Sequence, residues 1–342
     1  MKGRYSGSIK QYIIDTPLNY FCLLAISLAF WITGYVFSFG YPVYGGVSST
    51  PLWNRVCSIF PNEAITYLIG ALLTAGSAFL IHRANYILVI IREKTFLPFP
   101  IYILFISANP DFIPLKSTSV GIFCLILALY QLFISYHDEK SVNSAFNAAL
   151  FIGIGSLLWV HILWFFPLFW IGMYNFKTLN IRTFLASLMG LGTVYWFLLL
   201  WCLWQWDFSP FVVPFSALAK VRFLEITGIG LVDWSITIYL AFMTFIASLH
   251  IITHGHDENI RTRQYLYFLI LFVILSFALF FLYEQSSDEF LCIACMPASI
   301  LITHFFTVNK GKRVYWGFYL SLTVYIGLSL VRLWNFLLNT VI

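Results

Sequence analysis

Residues Arg83–Lys116, RANYILVIIREKTFLPFPIYILFISANPDFIPLK, decide how this chain is threaded. The stretch opens on a basic amphipathic run, Arg83–Lys94, in which Ile87, Leu88, Ile90 and Ile91 sit beside Arg83, Arg92, Glu93 and Lys94. That pattern suits a helix lying at a headgroup boundary, or the extension of a helix that anchors a bundle. A short proline-marked apolar segment follows. It ends at Asn109-Pro110-Asp111, a polar corner before another long apolar run.

Composition sets the frame around this stretch. The chain is 61% hydrophobic, 20% aromatic and 10% charged, too little polar surface to cover a soluble body of 342 residues. A polytopic membrane protein with one compact domain over 1–342 is expected, because no linker, charge block or repeat divides it. The formal charge of +5 lies mostly beside apolar runs, where basic residues set orientation, so nucleic acid is not an expected partner. Cys22 and Cys124 fall inside apolar runs as small hydrophobic residues, and the six cysteines form no disulfide framework.

Apolar runs occur near 19–39, 64–82, 96–109, 117–136, 145–159, 161–176, 184–204, 229–253, 264–283, 290–308 and 314–336, giving eleven candidate spans. The fold class expected is therefore all-α, a transmembrane bundle of about eleven helices. With the N-terminus cytoplasmic, Lys2, Arg4, Lys10, Arg83, Arg92, Lys94, Lys140, Lys177, Arg182, Arg261, Arg263, Lys310, Lys312 and Arg313 fall inside. Arg55, Lys116, Lys220, Arg222 and Arg332 fall at the outer face. A nine-span alternative keeps 96–109 re-entrant and makes 145–176 one helix, which moves Asp111 and Lys116 to the cytoplasm.

In the eleven-span reading Glu63, Asp111, Asp207, Glu225, Asp233, Glu284, Asp288 and Glu289 share the outer face with the five outer cations. A carboxylate there can act as general base toward an acceptor hydroxyl, while Arg or Lys holds a phosphate leaving group. Glu284, Asp288 and Glu289 lie in the polar turn EQSSDE and read as solvated loop charge. Asp111, Asp233 and Arg332 adjoin apolar runs, where an ionised group is expensive. Arg332 in VRLWN needs a partner, either a nearby acid such as Asp233 or a lipid phosphate.

The order of an outer loop, a basic turn, LPFPIYILFISANPDF, a long helix 117–136 and FNAALFIGIGSLLWVHILWFFPLFWIGMYNFKTLNIRTFLASLMGLG resembles the multi-span GT-C glycosyltransferase architecture. Over most of its length the chain is similar to polytopic envelope membrane proteins of Bacteroidota-type bacteria, a likeness that implies no activity. The GT-C likeness implies a polyprenyl-phosphate-linked sugar as donor, with Asp111 and Glu63 as catalytic acids. It also implies Arg55, Lys116, Lys220, Arg222 and Arg332 as lipid-phosphate ligands. GT-C enzymes carry an acid in the first outer loop, and here GYPVYGGVSSTPLWNRVCSIFPNEA offers Glu63 alone.

Two further motifs carry alternative chemistry. His250, His254 and His256 in HIITHGH place two imidazoles at i, i+4 on one helical face, either as metal ligands or as interfacial histidines. Cys292 and Cys295 form a CxxC that reads as a redox pair or as two small packing residues beside Pro297. His161 lies in an aromatic hairpin and reads as a packed, hydrogen-bonded residue. No motif implies a cofactor. The expectation is an inner-membrane protein acting at the outer leaflet on a polyprenyl-phosphate substrate; the competing class is a non-catalytic subunit with protein partners in the envelope.

Overall fold

The structure, a computed structural model, describes residues 16–37, 50–59, 62–138, 140–225, 230–309 and 311–341. The side chains of Glu63, Asp257, Lys312 and residues 336–341 lie outside that description, as do Lys2, Arg4, Lys10, Lys310 and the loop before Thr50. Among the described residues there are thirteen α-helices. They are α1 (Pro17–Phe37), α2 (Pro51–Ile59), α3 (Glu63–Leu88), α4 (Pro98–Ser107), α5 (Ser117–Ile134), α6 (Val142–Leu158) and α7 (Phe166–Asn175). The rest are α8 (Ile181–Gln205), α9 (Ser209–Ala219), α10 (Leu231–His254), α11 (Ile260–Leu282), α12 (Ser287–Val308) and α13 (Lys312–Val341).

Eight helices, α1, α3, α5, α8 and α10 to α13, are long and apolar enough to cross a membrane, so the chain is a multi-pass, all-helical membrane protein. The helices α4, α6, α7 and α9 are apolar but shorter. Local chemistry sets several boundaries. The Asn62 side chain accepts from the Ala64 N–H at 2.9 Å to open α3, and Asn180 with Thr183 forms a capping box for α8. Prolines occupy the first turn of α4, α7 and α9, where their missing N–H leaves no hydrogen bond unmade.

Side-chain contacts mark the two ends of the bundle. At the near end Tyr20 and His82 both pack against Phe96, Asn19 donates to the Tyr319 hydroxyl at 2.9 Å, and the Tyr265 hydroxyl donates to the Phe133 carbonyl at 2.6 Å. At the far end the Leu115 N–H donates to the Thr66 carbonyl at 3.1 Å, and the Thr50 hydroxyl donates to the Leu157 carbonyl at 3.0 Å. Residues 96–115 therefore run the length of α3, from beside His82 to beside Thr66. Although α4 rises only about 15 Å in its ten residues, the 3-10 turn Pro110–Phe112 and its flanks carry the path on to the far end of α3. Gly70 permits this approach, since a Cβ there would lie 2.0 Å from the Ile113 carbonyl oxygen and 2.5 Å from the Leu115 nitrogen.

Residues 145–176 are not one helix. The chain breaks at Trp159, where the backbone is extended, passes through the 3-10 turn Val160–Phe165 and returns as α7. The His137 N–H donates to the Phe176 carbonyl at 3.2 Å, which puts the end of α7 back at the end from which α6 started. Small residues close the seam with α8, since a Cβ on Gly190 would lie 2.3 Å from the Phe146 carbonyl oxygen.

Of the two readings of Arg83–Lys94, the helix extension holds as far as Leu88 and the surface helix does not form. The helix α3 runs on through Leu88 and stops at Val89, a β-branched residue held at φ 52°. Two bonds hold this turn: the Asn85 side chain accepts from the Ile91 N–H at 2.9 Å, and the Thr262 hydroxyl donates to the Val89 carbonyl at 3.3 Å. Ile90 and Ile91 then enter the protein core. Tertiary contacts with α11 thus win over the amphipathic pattern, because burying two isoleucines removes more apolar surface from water than an interfacial face would.

The helix α12 is the axis of the bundle. Of its most apolar window 89% is buried within the protein, against 22% for α1 and 17% for α13. Whatever its two ends carry is therefore surrounded by other helices.

Candidate functional site

The first turn of α12 carries Asp288 and Glu289, and both line a recess at the far end of the bundle. Their partners come from three other helices: Thr74 and Ser77 from α3, Tyr102 from α4, and Lys116 with Thr118 at the start of α5. Asp288 is open to solvent and Glu289 is half-buried, so water reaches the carboxylates from the mouth. The free volume of ≈ 20 Å³ admits about one water molecule. The Thr118 hydroxyl is buried here without a hydrogen-bond partner among the described residues.

The electrostatics around Asp288 are mixed. Arg332 and Lys116 act on it as cations, and Asp111 and Asp233 as anions. Arg332 Nε lies 3.0 Å from Asp233 Oδ1, so the arginine has the acid partner named from the sequence. Asp111 sits half-buried in the 3-10 turn, whose Asn109 side chain accepts from the Asp111 N–H at 3.0 Å. Asn109 itself is 1% exposed, and its Nδ2 has no partner among the described residues. Glu63 opens α3 at the same end, with its side chain outside the described residues.

Of the reading of Asp288 and Glu289 as solvated loop charge, the solvation holds for Asp288 and the loop does not. Both acids are helical, and the helix they begin is the most enclosed in the bundle. The available signal was their position directly before a long apolar run, the criterion already applied to Asp111 and Asp233.

The five outer cations fall into three places. Lys116 and Arg332 flank the α12 acids. Lys220 and Arg222 line a separate cavity of about 480 Å³ with His161, Tyr283 and Glu284, and Arg222 Nε lies 3.3 Å from Glu284 Oε2. Arg55 stands apart, donating to Gln205 Oε1 at 2.7 Å with its guanidinium 5.3 Å from the centre of the Trp201 ring. Asp207 is held below the usual carboxylate range by the N–H and hydroxyl of Ser209, both at 2.9 Å, which ties it to the first turn of α9.

At the near end His250 and His254 share one helical face, as the i, i+4 spacing in HIITHGH implies, and His256 does not join them. His250 stacks on His254 with ring centres 4.5 Å apart, His254 Nδ1 meets the Thr253 hydroxyl at 2.8 Å, and His256 is exposed. Among the described residues no group of three or more His, Cys, Asp or Glu could hold a metal ion. Sequence reasoning missed the contact that does form there, His304 Nε2 to Glu258 Oε1 at 3.5 Å, with both side chains almost fully buried. His304 holds the Glu258 carboxyl below the usual glutamate range, with Arg92 adding to the effect. Cys292 and Cys295 are both buried free thiols on α12, and Cys292 lines the recess.

No known protein family, no curated protein and no solved structure matches this chain.

Proposed function

We propose that the chain crosses the bacterial inner membrane eleven times and that its outer-end recess handles the phosphate end of a polyprenyl-type lipid, in a transferase of GT-C-like architecture. The reading of eleven crossings is supported by the end-to-end path of residues 96–115 and by the hairpin of α6 and α7. In that reading the near end is cytoplasmic, because it collects Arg83, Arg92, Lys94, Lys140, Lys177, Arg182, Arg261, Arg263 and Arg313.

The observation that carries the functional reading is the meeting of Asp288, Glu289 and Lys116 in one recess at the far end. A space for about one water molecule is what a general base needs around the hydroxyl that it deprotonates. Lys116 at the rim is the cation for a phosphate leaving group, with Arg332 behind it. The base role falls to Asp288 or Glu289, and Asp111 in the neighbouring 3-10 turn acts on Asp288 as a second negative charge.

Asp288→Asn and Lys116→Gln in the purified full chain test the site. Loss of co-purifying polyprenyl phosphate in Lys116→Gln, with the lipid retained but transfer abolished in Asp288→Asn, is expected. Normal lipid content and normal envelope growth with both variants would remove the reading. The threading has its own test at the exposed residue Lys140. In a cysteine-free background, Lys140→Cys should resist a membrane-impermeant maleimide in intact cells, whereas Asp207→Cys should react.

A further inference from the structure

Across the 3-10 turn Glu284–Ser286 from the recess lies the 480 Å³ cavity, within the range of about 300–1,000 Å³ typical of small-molecule sites. No residue lines both spaces. The cavity wall has two parts. One is the strand-like segment after α9, where the Leu224 N–H donates to the Phe281 carbonyl at 3.0 Å and the Glu284 N–H donates to the Arg222 carbonyl at 3.0 Å. The other is the aromatic hairpin between α6 and α7, which supplies His161.

His161 is 3% exposed, packed 4.9 Å from the Tyr283 ring and 5.2 Å from the Trp159 ring, and its Nδ1 has no hydrogen-bond partner among the described residues. A buried ring nitrogen left unmatched forgoes the hydrogen bond it makes in water, which a ligand in the cavity would restore. Lys220 and Arg222 against Glu284 leave one net positive charge on the wall. The Tyr283 hydroxyl donates to the Leu218 carbonyl at 2.7 Å and so is already engaged, whereas Gln285 and Ser286 offer groups that suit hydroxyls.

We infer that this cavity binds a small phosphate-bearing, hydroxyl-rich ligand, with Lys220 and Arg222 holding the phosphate and His161 hydrogen-bonding the body of the ligand. Charge selects the phosphate, and the polar groups of the Glu284–Ser286 turn select a hydrated partner over an acyl chain. The site is defined by binding, so it can be tested without assuming that the recess is catalytic.

The test uses the full chain in nanodiscs of phosphatidylcholine, titrated calorimetrically with glucose 6-phosphate and with inorganic phosphate, and a parallel arm with phosphatidic acid in the disc. Saturable binding of glucose 6-phosphate is expected, tighter than that of inorganic phosphate. It should weaken about tenfold in Lys220→Gln, a substitution at an exposed position, and about tenfold in His161→Phe, with the melting temperature read for each. Lys116→Gln should leave this binding unchanged, which separates failure here from failure of the recess reading. Absence of soluble binding, binding indifferent to Lys220→Gln, or recognition of phosphatidic acid alone would each overturn the assignment.

Discussion

The two ends of α12 carry ionisable groups under opposite conditions. At its far end Asp288 and Glu289 keep contact with water in a recess bordered by Lys116, whereas at its near end His304 and Glu258 are 2% and 4% exposed as side chains, at the wall of a cavity of about 130 Å³. A hydrated carboxylate tolerates an imperfect partner, and a dehydrated one does not. The far end can therefore afford charges arranged for chemistry. At the near end the Glu258 carboxylate depends on its neighbour His304.

The sharpest way to break this comparison is to strip the buried pair. His304→Leu leaves Glu258 buried without its neighbour and should destabilise the protein by about 1–3 kcal/mol, seen as loss of a monodisperse peak after heating in detergent. Adding Glu258→Leu should restore most of that loss. The far wall is next: Gly70→Ala places a methyl group 2.0 Å from the Ile113 carbonyl oxygen, and about 1–3 kcal/mol of destabilisation is expected, with Lys116 displaced along with its segment.

Smaller effects sharpen the contrast. Arg332→Gln breaks a pair whose Asp233 side is 38% exposed, so about 1 kcal/mol is expected, partly relieved by Asp233→Asn. Asp288→Asn and Lys116→Gln should alter the unfolding free energy by no more than about 0.5 kcal/mol, because Asp288 is exposed and Lys116 is only partly buried. Acid adds a readout specific to the near end. The folded-state value of Glu258 lies below the ordinary one, so the unfolded chain takes up its proton first. Its stabilisation is complete above the usual glutamate range and is lost as pH falls through the folded-state value, a slope that Glu258→Gln should flatten.

Each apolar run located by hydropathy forms helix over most of its length, because an apolar backbone in lipid must satisfy its hydrogen bonds within the segment, but the short apolar helix α9, Ser209–Ala219, was missed. The same reading placed the polar corner at Asn109-Pro110-Asp111 and named Asp233 as one of the alternative partners of Arg332, the one that the structure pairs with it. It could not assign the turn at Val89, since the choice between a surface helix and a buried reversal rests on Thr262, 173 positions away. Nor could it raise Asp288 and Glu289 above the other acids, because a solvated turn and a recess differ only in what surrounds them. That surrounding is supplied by Lys116 from α5, Thr74 from α3 and Tyr102 from α4, which meet α12 only when the bundle closes. His161 follows the same rule: its residue type suggested packing, and the unmatched ring nitrogen became visible only beside Lys220 and Arg222. Local sequence determines which segments leave water, whereas long-range packing determines which of the remaining polar groups face one another.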